Sequence, residues 1–139
     1  SSLLFTNVRE KNSLCYYINS DVKPYDNILF IYSGISNENV NKALKIIKKT
    51  LSNIESGKFD DEIINSSKET ITSSIMASLD NPNGIINEYY AKQLVDSELF
   101  EERINKFNEV TKQDIINVSR KVSIYSILTL EKGEDNEND

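Results

Sequence analysis

The chain has 139 residues, 16 of them basic and 22 acidic, with no histidine, one cysteine and 38% hydrophobic content. That length supports one domain with one core, since domains cluster at about 100–150 residues. The net charge of −6 argues against a phosphate-tracking surface, so nucleic acid is not an expected partner.

The missing histidine removes both the imidazole ligands of most zinc enzymes and the usual general base for a serine or cysteine nucleophile. One cysteine, Cys15, neither completes a metal site nor forms an internal disulfide, and its place in a strand pattern suits an inert buried thiol. No catalytic and no metal-ligating residue is therefore expected in this chain alone. No apolar run reaches the ~18–20 residues of a membrane span, and no basic-plus-apolar leader opens the chain. No membrane partner and a reducing, cytoplasmic setting are the expectations.

In chain order, Ser1 to Lys11 reads as the end of a helix, with Leu4 and Val8 on one face and Phe5 one turn before Arg9. It opens abruptly, which predicts a truncated helix and a fragment of a longer chain. Asn12, a residue that tolerates the left-handed conformation, is the predicted stop. Leu14 to Asn19 alternates, placing Leu14, Tyr16 and Ile18 on one face, and Ile28 to Ile35 ("ILFIYSGI") is the nearly continuous apolar run of a strand covered on both sides. Together they predict an antiparallel hairpin.

Ser36 or Asn37 is the expected cap of a helix whose apolar stripe is Val40, Ala43, Leu44, Ile47, Leu51 and Ile54, ending at Gly57. Its row of lysines, Lys42, Lys45, Lys48 and Lys49, reads as a solvated face. Asp60 caps the next helix, with Phe59 and Ile64 placed as a hydrophobic staple, and "DNPNG" breaks it. Two shorter helices follow, around Ile86 to Leu94 and Phe100 to Phe107. Thr111 with Asp114 writes a capping box for a last helix, and Ser123 to Glu131 alternates as a third strand. Residues 132–139 continue an acidic run, "EKGEDNEND", with no apolar residue, and predict a disordered tail.

This order implies an α+β fold over residues 1–131: a small, mainly antiparallel sheet with helices packed on one face. Three strands leave an edge for a neighbour.

The residues also carry a family resemblance. "LFTNVREKNSLCYYI" resembles the segment that pitrilysin-type zinc metallopeptidases (the M16 family), including the mitochondrial processing peptidases, write as L-F-x-x-V-R-E-K-x-G-L-A-Y-x-V. Leu4, Phe5, Val8, Arg9, Glu10, Lys11, Leu14 and Tyr16 match, while Ser13 stands where Gly is usual and Cys15 where Ala is usual. "KFDDEIINSSKETITSSIMASLDNPNGI", "VTKQDIINVSRKV" and "YSILTLEKG" are similar to later stretches of the same family, in the same order.

The resemblance implies a LuxS/metallopeptidase-like half-domain unit, the second αβ unit of a non-catalytic C-terminal half. Zinc belongs to the catalytic half, on an H-x-x-E-H helix that this chain lacks, so no cofactor is expected here. It implies pairing with a catalytic half or paralogous subunit and leaves an isolated fragment free to self-associate. It also carries a substrate-binding arginine and tyrosine onto Arg9 and Tyr16, two donors suited to a peptide carbonyl. The residues themselves leave two readings open for this pair: contact with a peptide substrate, or core packing and helix-end capping. At the level of the whole chain, the alternative to an assisting unit is a catalytically inactive structural or interaction subunit.

Overall fold

The computed structural model describes residues 2–23, 26–95 and 98–131, so the acidic tail expected at 132–139 lies outside the described residues. The fold is α+β, with a two-stranded antiparallel sheet and a layer of helices.

The chain enters through a π-helical segment, Phe5–Glu10, closed by a bond from Lys11 N–H to Thr6 O at 2.9 Å. The wider winding turns Val8 fully inward, 0% exposed. The exit is made by Ser13 rather than Asn12. Ser13 holds the left-handed conformation at φ 50°, its N–H donates to Arg9 O at 2.8 Å, and Leu14 N–H donates to Val8 O at 3.1 Å.

Strands β1 (Tyr17–Lys23) and β2 (Ile28–Gly34) form the expected hairpin, with Ile18 opposite Ser33 and Ser20 opposite Ile31. β1 starts three residues later than the alternation predicts. Tyr16 N–H donates to Gly34 O at 2.8 Å, and Gly34 also pairs with Tyr17, so two residues oppose one. Such an extra residue reverses the facing of what precedes it. Leu14 and Ile18 are buried while Tyr16 is 77% exposed, so the three do not share a face. The Tyr17 ring lies over Gly34, where an added Cβ would stand 2.6 Å from Tyr17 Cε1.

A single 3-10 turn, Asn37–Asn39, leads into α1 (Val40–Glu55). Neither Ser36 nor Asn37 caps it through a side chain. Ser36 supplies its carbonyl to Asn39 N–H at 2.8 Å, and its hydroxyl accepts from Asn39 Nδ2 at 2.9 Å. One face of α1 meets the inner face of the hairpin. Leu4, Val8, Leu14, Ile18 and Ala43 form one buried cluster, flanked by Phe5, Cys15, Ile31, Ile35, Ile46 and Ile47. Thr50 is buried one turn beyond, and its hydroxyl accepts from Asn7 Nδ2 at 3.2 Å.

α1 ends as its glycine predicts. Gly57 sits at φ 71°, its N–H donates to Ile54 O at 3.0 Å and Lys58 N–H donates to Asn53 O at 2.8 Å, the paired bonds of a Schellman motif. Then come α2 (Asp61–Leu79), α3 (Pro82–Val95), α4 (Phe100–Glu109) and α5 (Lys112–Ser119). Proline at the first position of α3 loses no helical bond, and Asn81 Oδ1 accepts from Asn83 N–H at 3.0 Å.

α5 packs on α1, and α3 and α4 pack on α2. Lys112 ties α5 to the start of α2, donating to Phe59 O at 2.6 Å, pairing with Asp61 at 3.2 Å and lying 4.9 Å from the centre of the Phe59 ring. No helix among the described residues is long and apolar enough to cross a membrane. The third strand expected at Ser123 to Glu131 does not form. Those residues follow α5 without regular structure, and Tyr125 is 100% exposed.

The capping box before α5 is complete: Asp114 Oδ2 accepts from Thr111 Oγ1 at 2.6 Å and from Thr111 N–H at 2.9 Å, and Thr111 Oγ1 accepts from Asp114 N–H at 3.2 Å. The bonds from the Thr111 hydroxyl and backbone hold the Asp114 carboxyl below the ordinary carboxylate range. A lowered folded-state pKa means that the cap contributes fully above the unfolded pKa and is lost as pH falls through the folded one. Acid titration followed by urea unfolding should show this loss, and Asp114→Asn should abolish that part of the pH dependence. Gly57→Ala should cost about 1–2 kcal/mol, because a side chain disfavours its φ and the new Cβ would meet Ile116 Cδ1 at 2.9 Å. A urea midpoint unchanged from the parent would contradict that account.

Candidate functional site

The hairpin corner and the entry to α1 close around a cleft of about 620 Å³, walled by Phe5, Arg9, Ser13, Cys15, Tyr16 and Ser36 among others. Each wall has a local cause. The π-winding that buries Val8 puts Arg9 on the outside. The extra residue opposite Gly34 turns Tyr16 outward. The connection from β2 to α1 supplies Ser36 from a distant part of the sequence.

The structure therefore brings Arg9 and Tyr16 to one cleft, and at 77% exposure Tyr16 is not a core residue. The Arg9 guanidinium carbon lies 5.0 Å from the centre of the Phe5 ring, one turn back on the same segment. Such stacking is worth about 0.5–1 kcal/mol at an exposed site and leaves the in-plane N–H donors open to an acceptor. The neighbouring Glu10 carboxylate is engaged by the Thr6 hydroxyl at 2.9 Å, and Arg9 forms no salt bridge among the described residues. Glu10 also lines the cleft, so the wall carries one cation and one anion beside neutral donors, suited to a neutral carbonyl.

The chain has no histidine and one cysteine, and the described residues hold no cluster of three or more His, Cys, Asp or Glu side chains fit for a metal ion. Among the described residues no donor set fits zinc. A second cleft of about 440 Å³ lies between α2 and α4, lined by Ile71, Ile75 and Phe107 with Thr70, Ser74 and Arg103. Arg103 is held by Glu88 of α3 at 3.1 Å, so this cleft presents a mainly apolar surface and an occupied cation.

Beside Arg9 and Tyr16, the two residues that the family resemblance singles out, Ser36 and Asn39 line the same cleft. No local signal marks them, because they arrive through the packing of α1 on the hairpin. Ser13 was visible only as a departure from a glycine pattern.

The fold and the cleft define a non-catalytic α+β unit, and comparison with known proteins places it. Residues 1–71 match the family model described as the peptidase M16 inactive domain. The chain is 31% identical over 124 residues to the probable inactive metalloprotease YmfF of Bacillus subtilis (strain 168), across 88% of this chain and 29% of that protein. It is 26% identical over 126 residues to the uncharacterized zinc protease YmxG of the same organism, across 88% of this chain and 31% of that protein. The crystal structure of a conserved protein from Enterococcus faecalis V583 superposes with a TM-score of 0.79 at 31% identity, covering 86% of this chain and 29% of that one. The chain belongs to the M16 peptidase family, as a non-catalytic unit of the C-terminal type. It spans under a third of the length of these relatives.

The left-handed Ser13 explains why glycine is usual at that point of the family pattern. Ser13→Gly should raise stability by roughly 0.5–1 kcal/mol, relief of the left-handed strain outweighing the added freedom of the unfolded chain. Chemical denaturation of the two chains measures it, and a loss of stability would show that the Ser13 side chain holds the corner.

Proposed function

We propose that this unit assists peptide binding in a zinc-dependent metallopeptidase-like protein, with Arg9 and Tyr16 contacting the bound peptide and the zinc held by a catalytic half or paralogous subunit. The observation that carries the proposal is the arrival of two donors at one open cleft, Tyr16 exposed and Arg9 held over Phe5. A guanidinium and a phenolic hydroxyl both donate to a peptide carbonyl, and both gain strength when negative charge develops on it during hydrolysis. Their backbones are anchored separately, one on the π-helical segment and one beside Gly34 at the hairpin corner.

A second reading is supported by the similarity to YmfF, a probable inactive metalloprotease. In that reading the unit serves association with a paralogous subunit, and the cleft is a remnant.

The two readings separate in the full-length parent combined with an H-x-x-E-H half. Arg9→Ala and Tyr16→Phe should each lower kcat/KM for peptide cleavage by about tenfold or more, as expected for loss of a transition-state donor. A fall in kcat marks a contact made in the transition state, and a rise in KM alone marks ground-state binding. Unchanged kcat/KM in both variants removes the substrate role and leaves the association reading.

A further inference from the structure

Ser36 and Asn39, which line the cleft with Arg9 and Tyr16, are both half-buried and are joined to each other twice. Asn39 N–H donates to Ser36 O at 2.8 Å, and Asn39 Nδ2 donates to Ser36 Oγ at 2.9 Å. The two bonds hold the pair in one arrangement. Serine and asparagine are among the strongest helix caps, yet neither side chain here caps the 3-10 turn or α1. Helix formation therefore makes no use of the polar groups these side chains have left over.

An asparagine amide carries two N–H donors and a carbonyl acceptor. With one N–H given to Ser36 Oγ, Asn39 Oδ1 has no donor bonded to it among the described residues. The Arg9 guanidinium, by contrast, offers donors alone. A peptide presents a donor and an acceptor in every unit except at proline. A peptide N–H taken out of water into the cleft and left unpaired costs affinity, so donors on the wall serve only half of each unit. Asn39 Oδ1 serves the other half. Glu10 is the charged acceptor of the same wall, but it is exposed and already accepts from the Thr6 hydroxyl at 2.9 Å.

We propose that Asn39, positioned by Ser36, accepts a main-chain N–H of a peptide bound in this cleft through its Oδ1. The inference rests on the peptide-binding reading of the same cleft and adds a substrate class to it. That class is peptides with a free amide N–H at the bound position, so proline and N-methylated residues are disfavoured there. The contact contributes ground-state affinity, whereas a donor aimed at charge developing on a carbonyl acts on the rate of cleavage.

The test uses the full-length parent paired with its H-x-x-E-H half, in the presence of a chelator so that no peptide is cleaved. A fluorescein-labelled peptide of alanine, serine and leucine is compared with versions in which one amide at a time is replaced by an ester, which removes one N–H. Fluorescence anisotropy gives each Kd. One ester should bind about three- to tenfold more weakly, the size of one neutral hydrogen bond, and proline at that position should bind at least as weakly. The ester penalty should vanish in Asn39→Leu and remain in Asn39→Asp, which keeps an acceptor oxygen. The penalty is a ratio of two Kd values within one protein, so a variant that is partly unfolded leaves it unchanged.

An ester scan with no weakened position overturns the proposal, as does a penalty that survives Asn39→Leu or disappears only in Glu10→Gln. Tight binding of the all-amide peptide with a flat ester scan removes this inference and leaves the peptide-binding reading standing. Failure of the all-amide peptide to bind removes both.

Discussion

Everything in this molecule depends on burying Val8 and Ile18 against Ala43. A six-residue π-helical segment, a two-stranded hairpin and a single helix are each marginal in water alone, because none can remove its apolar face from solvent. Joined, they form one cluster in which each buried valine or isoleucine contributes about 1.5–3 kcal/mol. Thr50 is the polar member of that interior, and its bond to Asn7 satisfies it while tying the N-terminal segment to α1.

The cleft is a by-product of the same constraint. Turning Val8 inward turns Arg9 outward, and burying both Leu14 and Ile18 around a bulge leaves Tyr16 facing solvent. The backbone positions of Arg9 and Tyr16 are therefore set by the buried cluster beneath them. The helical layer contributes rigidity from behind. α5 reaches α1 beside Gly57, where Ile116 fills the space that a side chain would need, and Lys112 links the same helix to the start of α2. Away from these contacts, α3 leaves Ile86, Tyr89, Tyr90 and Leu94 exposed, a surface in keeping with a unit that spans under a third of its relatives.

Local chemistry was legible residue by residue. The glycine that stops α1 and the threonine and aspartate that open α5 each act through bonds within a few residues of themselves, so spacing alone reveals them; "DNPNG" reads as a break, and α3 instead starts inside it, at Pro82. The hairpin was legible because β2 is apolar on both sides. The facing of Tyr16 was not, because alternation assumes an unbroken strand and a single extra residue opposite Gly34 inverts it. The stop at Ser13 was hidden for a related reason: asparagine is the better left-handed residue, but the π-winding carries the segment one position further. The last strand was misplaced because a strand pattern states what a segment can pair with and supplies no partner.

By itself, then, the sequence determined the order of the hairpin and the helices, the stop at Gly57, the Thr111–Asp114 cap, the α+β class and, through the motif running from Leu4 to Tyr16, the family. It also determined that no H-x-x-E-H helix can form here, since no folding can supply histidines that are not there. Only the tertiary structure decided that Arg9 and Tyr16 meet at one cleft, that Ser36 joins them, and that Ser123 to Leu130 stands unpaired. The division has a physical basis. Propensity and capping depend on neighbours along the chain, whereas the facing of a side chain and the partner of an edge depend on which distant surfaces exclude water together.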